Sequence, residues 1–185
     1  MNVYFDNAAT TKVREEVVDE VSNVLKNCFG NPSSTHSFGR SAKSYIETSR
    51  KTIAKILNCE PGEIIFNSGG TESDNSILKC AVKDLGVKHI ISSKIEHDAI
   101  THTLEELESQ NVSIHYVKLL EKGNIELDNL ENLLKLNDEP KRDNLLYINN
   151  EIVNILDITK VSNVCIQYDT CVHWVEDRSI RNNKR

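Results

Sequence analysis

The amino-acid sequence predicts an α/β protein with a mostly parallel sheet that helices cover on both faces. Short apolar runs rich in β-branched residues alternate with segments whose apolar residues recur three and four apart. A glycine pair marks one junction from a predicted strand to a predicted helix, and polar motifs follow the ends of other predicted strands. This alternation is typical of parallel sheets, whose ligands bind beyond the carboxyl ends of the strands.

The predicted elements follow from apolar spacing. Predicted helices cover residues 13–25, 37–57, 71–83, 99–108, 127–136 and 158–168. Predicted strands cover residues 63–67, 89–93, 113–117, 144–148 and 171–175.

Length and composition favour a single domain. With 185 residues, 38% of them hydrophobic, the chain can bury a core, and we expect residues 1–175 to form it. Residues 176–185 are basic and lack apolar periodicity, which predicts a solvated, disordered tail.

The net charge of −6 and a pI near 5.5 argue against a nucleic-acid or membrane-surface partner, where a basic face is expected. No apolar run approaches the roughly 20 residues that span a bilayer. We therefore expect a soluble, cytoplasmic protein.

The glycine pair is the most informative local feature. The apolar run Ile64–Phe66 breaks at Gly69 and Gly70, and a helix is predicted to start at Thr71. Glycines let the backbone approach a ligand closely, and the free N–H groups of a first helical turn attract an anion such as phosphate. The local pattern is equally compatible with a simple tight turn, and its spacing matches neither a dinucleotide motif nor a P-loop.

Two other polar residues follow predicted strands. His97 comes after the strand at 89–93 and opens a helix, so it is either a ligand-binding residue or a neighbour of the helix cap. Asn150 comes after the strand at 144–148 and could equally be a turn residue. Since both follow strand ends, as Gly70 does, the three could converge on one site.

Five motifs in order carry a resemblance to a known family. They are Asp6-Asn7-Ala8-Ala9-Thr10-Thr11, Gly30-Asn31-Pro32-Ser33-Ser34 with His36 and Gly39-Arg40, Ser68-Gly69-Gly70-Thr71-Glu72, Ile95-Glu96-His97 and Asn149-Asn150-Glu151. From about Tyr4 to His173 the chain resembles the cysteine desulfurases, pyridoxal-phosphate enzymes of the class V aminotransferase group.

The resemblance implies the type I pyridoxal-phosphate-dependent transferase fold, with this chain supplying the N-terminal segment and a truncated large domain. It implies that Gly70 and Thr71 hold the phosphate of pyridoxal 5′-phosphate. It also implies that His97 is a catalytic residue against the pyridine ring, and that Asn150 contacts the cofactor and the substrate carboxylate side.

The implied reaction takes sulfur from L-cysteine, leaving L-alanine and an enzyme persulfide. The sulfur then passes to an acceptor protein for iron-sulfur cluster assembly or tRNA thiolation, and the family forms homodimers. Two alternatives are a non-catalytic fragment that pairs with a full-length homologue, and a fragment of another class V enzyme such as a selenocysteine lyase or an aminotransferase.

The chain departs from the family pattern near its end. Val175 stands where the family has the aspartate that pairs with the pyridine nitrogen, Arg178 replaces a glutamine, and Val153 replaces a glycine. Asp177 is two residues from the aspartate position, but strand alternation alone does not bring its carboxylate to the same spot. No residue matches the family's Schiff-base lysine, carboxylate-binding arginine or nucleophilic cysteine, so we expect no activity from this chain alone. A frameshift or premature stop in a longer gene is one hypothesis for this divergence.

Cysteine and histidine spacing does not predict a metal site. The five cysteines form no Cys-x-x-Cys pair, and we expect them to be small buried residues in a reducing compartment. His97 and His102 are five apart, whereas two imidazoles on one helical face are four apart.

Overall fold

The structure, a computed structural model, describes residues 3–7, 10–135, 141–146, 158–168 and 170–175. The chain divides into two compact units, Met1–Phe66 and Asn67–Arg185, here called the N-terminal and C-terminal units. Within the described ranges, no helix combines the length and hydrophobicity needed to cross a membrane.

The N-terminal unit is built from helices α1 (Glu15–Asn27) and α2 (Ser37–Leu57) and a short 3-10 helix, Pro61–Glu63. Helix α1 has acidic residues in its first turn and Lys26 in its last turn, which complements the helix dipole. His36 caps the start of α2, and its ring accepts a 3.3 Å hydrogen bond from the Gly39 N–H; Asn58, in the left-handed conformation, caps the end.

The predicted strand at 63–67 is wrong. Glu63 closes the 3-10 helix, and Ile64 has extended backbone without forming a ladder with any described residue. The Arg50 guanidinium holds this segment against α2, because it donates to the Ile64 carbonyl and lies 4.9 Å from the centre of the Phe66 ring. The β-branched and aromatic residues therefore favour an extended backbone here. They do not form a strand, because a strand also needs backbone hydrogen bonds to a neighbouring strand.

The C-terminal unit contains a four-stranded sheet in the order β2-β1-β3-β4. All three strand pairs are parallel, which confirms the predicted sheet type. In chain order the elements are α3 (Gly70–Leu85), β1 (His89–Ser92), α4 (Asp98–Glu108), β2 (Ser113–Tyr116), α5 (Leu127–Leu134), β3 (Lys141–Leu146), α6 (Ile158–Gln167) and β4 (Cys171–Val175).

The sheet is covered on both faces, as predicted. Ile90 and Ile91 are adjacent in β1 and fully buried, yet they belong to different apolar clusters because successive strand side chains point to opposite faces. Ile90 packs with Leu78 of α3 and with Leu104 of α4. Ile91 packs on the other side with residues of α5 and α6.

The remaining predicted elements agree with the structure to within three residues wherever the chain is described. Residues 136, 147 and 148, which were included in predicted elements, lie outside the described residues, as does the predicted tail at 176–185.

The prediction that all five cysteines are buried is wrong. Cys165 is buried, but Cys80 and Cys171 are exposed. Cys80 is exposed because the buried residues of α3 are Asp74, Leu78 and Ala81, a stripe that does not include position 80.

Candidate functional site

The topology brings the N-termini of α3 and α4 to the same edge of the sheet. Helix α3 packs against one face of the sheet and is followed in the chain by β1, so α3 runs antiparallel to the strands and starts near their carboxyl edge. Helix α4 follows the end of β1 and starts at that same edge. The segments that carry Gly70, Thr71 and His97 therefore share one edge, where α/β proteins bind ligands.

Hydrogen bonds order the loop before α3. The Ser68 N–H and hydroxyl both donate to the Glu72 carboxylate, at 2.7 and 2.6 Å, and the Gly69 N–H donates to Asn67 Oδ1 at 3.0 Å. The hydroxyl bond, followed by the backbone bond, lowers the pKa of the exposed Glu72 carboxyl below its ordinary value of 4.5. The loop conformation is thus fixed by its own side chains.

Open space lies above this loop. A Cβ atom added at Gly69 or Gly70 would meet no atom within 4 Å, and the Thr71 side chain is exposed. Gly69 has a φ of 158°, which residues with side chains rarely adopt. The N–H groups of the first turn before Ser73 have no acceptor within the helix, since the Ser73 N–H makes the first such bond, to Gly69 O. A ligand with anionic oxygens could use them.

His97 caps helix α4. Its Nδ1 accepts a 3.1 Å hydrogen bond from the Ala99 N–H, and its ring is exposed. The preceding loop is held by a buried 2.6 Å hydrogen bond from the Ser93 hydroxyl to Glu96. His97 is therefore the cap itself and not a neighbour of the cap, and the cap holds the ring at the carboxyl edge while leaving part of it accessible.

A polar relay joins the first turn of α3 to α4. The Asn75 amide donates to the Thr71 carbonyl at 2.8 Å and accepts from the Thr103 hydroxyl at 2.9 Å. Thr103 is buried, and its single hydroxyl proton is shared between Asn75 Oδ1 and the Ala99 carbonyl oxygen, which both lie 2.9 Å from the Thr103 hydroxyl oxygen. These contacts hold the two helix starts together.

Sequence reasoning missed one contact between α3 and β4. His173 Nε2 lies 3.2 Å from Asp74 Oδ1, and both side chains are almost fully buried. The available signal was the position of Asp74, which shares the apolar stripe of Leu78 and Ala81 although it is charged.

The other predicted site residues lie elsewhere. Asn150 is outside the described residues, as are Val153 and Arg178. Val175 is the last residue of β4, next to the shared edge. Among the described residues, no cluster of three or more acidic, histidine or cysteine side chains could hold a metal ion.

Known proteins are similar to this chain in sequence and in fold. The cysteine desulfurase IscS of Dictyoglomus turgidum is 39% identical over 173 residues, covering 92% of this chain and 43% of that protein. The structure of a NifS-like protein superposes with a TM-score of 0.90 at 34% identity, covering 96% of this chain and 50% of that one. SspA in complex with cysteine superposes with a TM-score of 0.84 at 31% identity, covering 92% and 49% of the two chains.

These matches confirm the resemblance to cysteine desulfurases and the predicted fold class. The chain spans less than half the length of the curated relative. The model of the Aminotransferase class-V family matches residues 3–175. Since that match includes nearly all of the 185 residues, the chain belongs to the Aminotransferase class-V family.

Proposed function

We propose that this chain binds pyridoxal 5′-phosphate at the carboxyl edge of its sheet. Gly70 and Thr71 bind the phosphate, and His97 lies against the pyridine ring. The observation that carries the proposal is the open space above Gly69 and Gly70, next to the free N–H groups of a helix N-terminus. Asn150 is proposed as a further cofactor contact, although it lies outside the described residues.

The donors present suit a phosphate group. The first-turn N–H groups and the exposed Thr71 hydroxyl supply several hydrogen bonds, and the helix dipole adds roughly half a positive charge. The His97 ring is held by its cap, so it can contact a flat ligand without first being ordered. When bound, the cofactor supplies an electron-withdrawing ring that stabilises a carbanion on an amino-acid substrate.

The ring nitrogen is the part of the cofactor that this chain does not suit. Val175 stands at the position where the resemblance implies an aspartate, and a valine cannot keep the nitrogen protonated. The chain therefore supplies the phosphate and ring-face contacts without the carboxylate that strengthens the electron sink.

We propose cysteine desulfurase chemistry for the complete site, in the cytoplasm and as a homodimer. L-Cysteine is converted to L-alanine, and the sulfur passes as a persulfide to an acceptor protein. The names of the relatives and the cysteine in the SspA structure support this substrate. We expect no alanine from L-cysteine when the 185-residue chain alone is given pyridoxal phosphate, and steady alanine formation would contradict that expectation.

A second candidate function is pairing with a full-length homologue. It is favoured by the apolar surface of the N-terminal unit, where exposed side chains include Val17, Val21 and Leu25. Co-expression with a tagged full-length relative tests this candidate. Retention of the untagged chain through purification would support it, and loss of the chain in the first wash would contradict it.

Cofactor binding is best tested with pyridoxine 5′-phosphate, because it lacks the aldehyde that reacts with surface lysines. Titration calorimetry should show saturable binding that Thr71→Ala and His97→Ala each weaken by about tenfold, roughly the value of one or two hydrogen bonds or one ring contact. Thr48→Ala, an exposed threonine of α2, is the matched control and should change nothing. Equal affinity for pyridoxine, which has no phosphate, would contradict the proposal.

A further inference from the structure

The contact between Asp74 and His173 joins two elements that are far apart in sequence. Asp74 lies in α3 and His173 in β4, and the 3.2 Å contact between Oδ1 and Nε2 spans 99 residues. The Asp74 side chain is 4% exposed and that of His173 11% exposed. Because a carboxylate oxygen can only accept, this hydrogen bond requires the His173 tautomer that carries its proton on Nε2.

The position of this contact relates it to the proposed phosphate site. Asp74 is four residues, about one turn, after Gly70, so both lie on the same side of α3. His173 is paired with Asn144 in the sheet and precedes Val175 at the carboxyl end of β4. The contact therefore joins the first turn of α3 to the edge of the sheet where the cofactor is proposed to bind.

Because both side chains are buried, breaking their contact is energetically costly. A carboxylate removed from water is costly unless hydrogen bonds compensate it, so α3 cannot easily slide or rotate away from His173. The relay from Thr103 through Asn75 to the Thr71 carbonyl restrains the same turn from the side of α4. The first turn of α3 is thus restrained by the sheet and by a neighbouring helix.

We propose that Asp74 and His173 are positioning residues: their contact fixes the first turn of α3 on β4 and so aligns the N–H groups that bind the cofactor phosphate. The inference rests on the proposed function. Neither residue is proposed to touch the cofactor. Their effect comes through the backbone of Gly70 and Thr71.

The test compares variants that keep or remove the hydrogen bond. Asp74→Asn keeps an oxygen acceptor, Asp74→Leu has similar volume without one, and His173→Leu removes the donor. Asp84→Leu changes an exposed aspartate on the last turn of the same helix and is the matched control. All variants are made in the full chain.

The first readout needs no ligand. Amide hydrogen exchange at residues 73–76, whose bonds close the first turn of α3, should accelerate about tenfold or more in Asp74→Leu and His173→Leu. Exchange in Asp74→Asn and Asp84→Leu should stay within about threefold of wild type, as should exchange in α4 of every variant. Unchanged exchange at 73–76 in Asp74→Leu would overturn the proposal, and so would equal acceleration throughout the C-terminal unit.

The second readout is the Kd for pyridoxine 5′-phosphate. It should rise about tenfold in Asp74→Leu, stay within about threefold in Asp74→Asn, and rise no further in the Asp74→Leu/His173→Leu double variant, because either change removes the same contact. A Kd in Asp74→Asn as weak as in Asp74→Leu would overturn the proposal. Failure of the wild-type chain to bind the probe would instead overturn the proposed function, and hydrogen exchange would still decide whether the contact positions α3.

Discussion

The two units of the molecule differ in how well their helices are packed. In the C-terminal unit, α3 and α4 bury Leu78, Ile100 and Leu104 completely. In the N-terminal unit, α1 buries no residue and α2 buries only Gly39, Ala42 and Ala54. Of the twenty large hydrophobic residues that are exposed among the described residues, sixteen belong to the N-terminal unit.

The comparison separates helix formation from helix burial. Helix α1 has favourable end charges and places Val17, Val21 and Leu25 at a four-residue spacing along one face, but these side chains are 43–75% exposed. Such a pattern favours a helix with one apolar face. That face becomes buried only where another part of a protein packs against it. The cofactor contacts are proposed in the unit that already has its own core.

The largest expected effect comes from removing core volume. Leu104→Ala in α4 should lower the free energy of unfolding by about 2–5 kcal/mol, because a fully buried leucine leaves a cavity. Leu25→Ala in α1, where the side chain is 75% exposed, should change it by less than about 0.5 kcal/mol. Urea unfolding followed by circular dichroism measures both, and a cost for Leu25→Ala close to that of Leu104→Ala would contradict the comparison.

A tight contact inside the N-terminal unit gives the next effect. A Cβ at Gly39 would lie 2.6 Å from the Asn31 carbonyl oxygen and 2.8 Å from the Ser34 Cβ, with no room to move. Gly39→Ala should therefore destabilise this unit by about 1–3 kcal/mol. Gly62→Ala is the control, since its Cβ would meet nothing within 4 Å. Proteolysis rates within residues 10–66 report the difference, and equal rates for the two variants would show that the loop before α2 is not closely packed.

The relay between α3 and α4 should contribute less. Thr103→Val keeps the side-chain shape but removes the hydroxyl, leaving Asn75 Oδ1 without that donor. We expect a loss of about 1–2 kcal/mol. Thr101→Val serves as the control, because Thr101 lies in the same helix but is not one of its buried residues. Urea unfolding measures both, and identical midpoints for the two variants would argue against the relay.

The smallest effect is a pH dependence of the loop at residues 67–72. The pKa of Glu72 is lowered in the folded chain by its bonds from Ser68, so the carboxylate form favours the ordered loop. This stabilisation is present above the ordinary pKa of 4.5 and is lost as the pH falls through the lowered value. The Ser68 amide resonance should therefore shift with pH below about 4.5 in wild type and stay constant in Glu72→Gln. A similar shift of the Ser68 resonance in wild type and in Glu72→Gln would show that another titrating group causes the shift.

The sequence predicted most of the fold because helices and buried parallel strands are marked by local patterns. The helix at residues 37–57 and the strand at 171–175 have the predicted bounds. The prediction of a strand at 63–67 was wrong because a strand needs hydrogen bonds to a neighbouring strand. The residues of that neighbour lie outside the segment, so no local pattern can reveal them.

The candidate site divides in the same way. The loop at Gly69 and Gly70 and the position of His97 could be predicted, because each depends on a strand or loop followed directly by a helix. The contact between Asp74 and His173 could not, because it joins residues 99 positions apart and appears only after the sheet is assembled. The roles of Gly70, Thr71, His97 and Asn150 remain proposals.

A phosphate site at the start of α3 is tested most directly by titrating the ¹⁵N-labelled chain with pyridoxine 5′-phosphate and following the titration by NMR. Such a site predicts saturable shifts of the Gly70, Thr71 and His97 amides, with the resonances of α1 and α2 unchanged. Pyridoxine without phosphate should produce none of these shifts. Absence of saturable shifts at Gly70 and Thr71, or shifts confined to the N-terminal unit, would contradict a phosphate site at the start of α3.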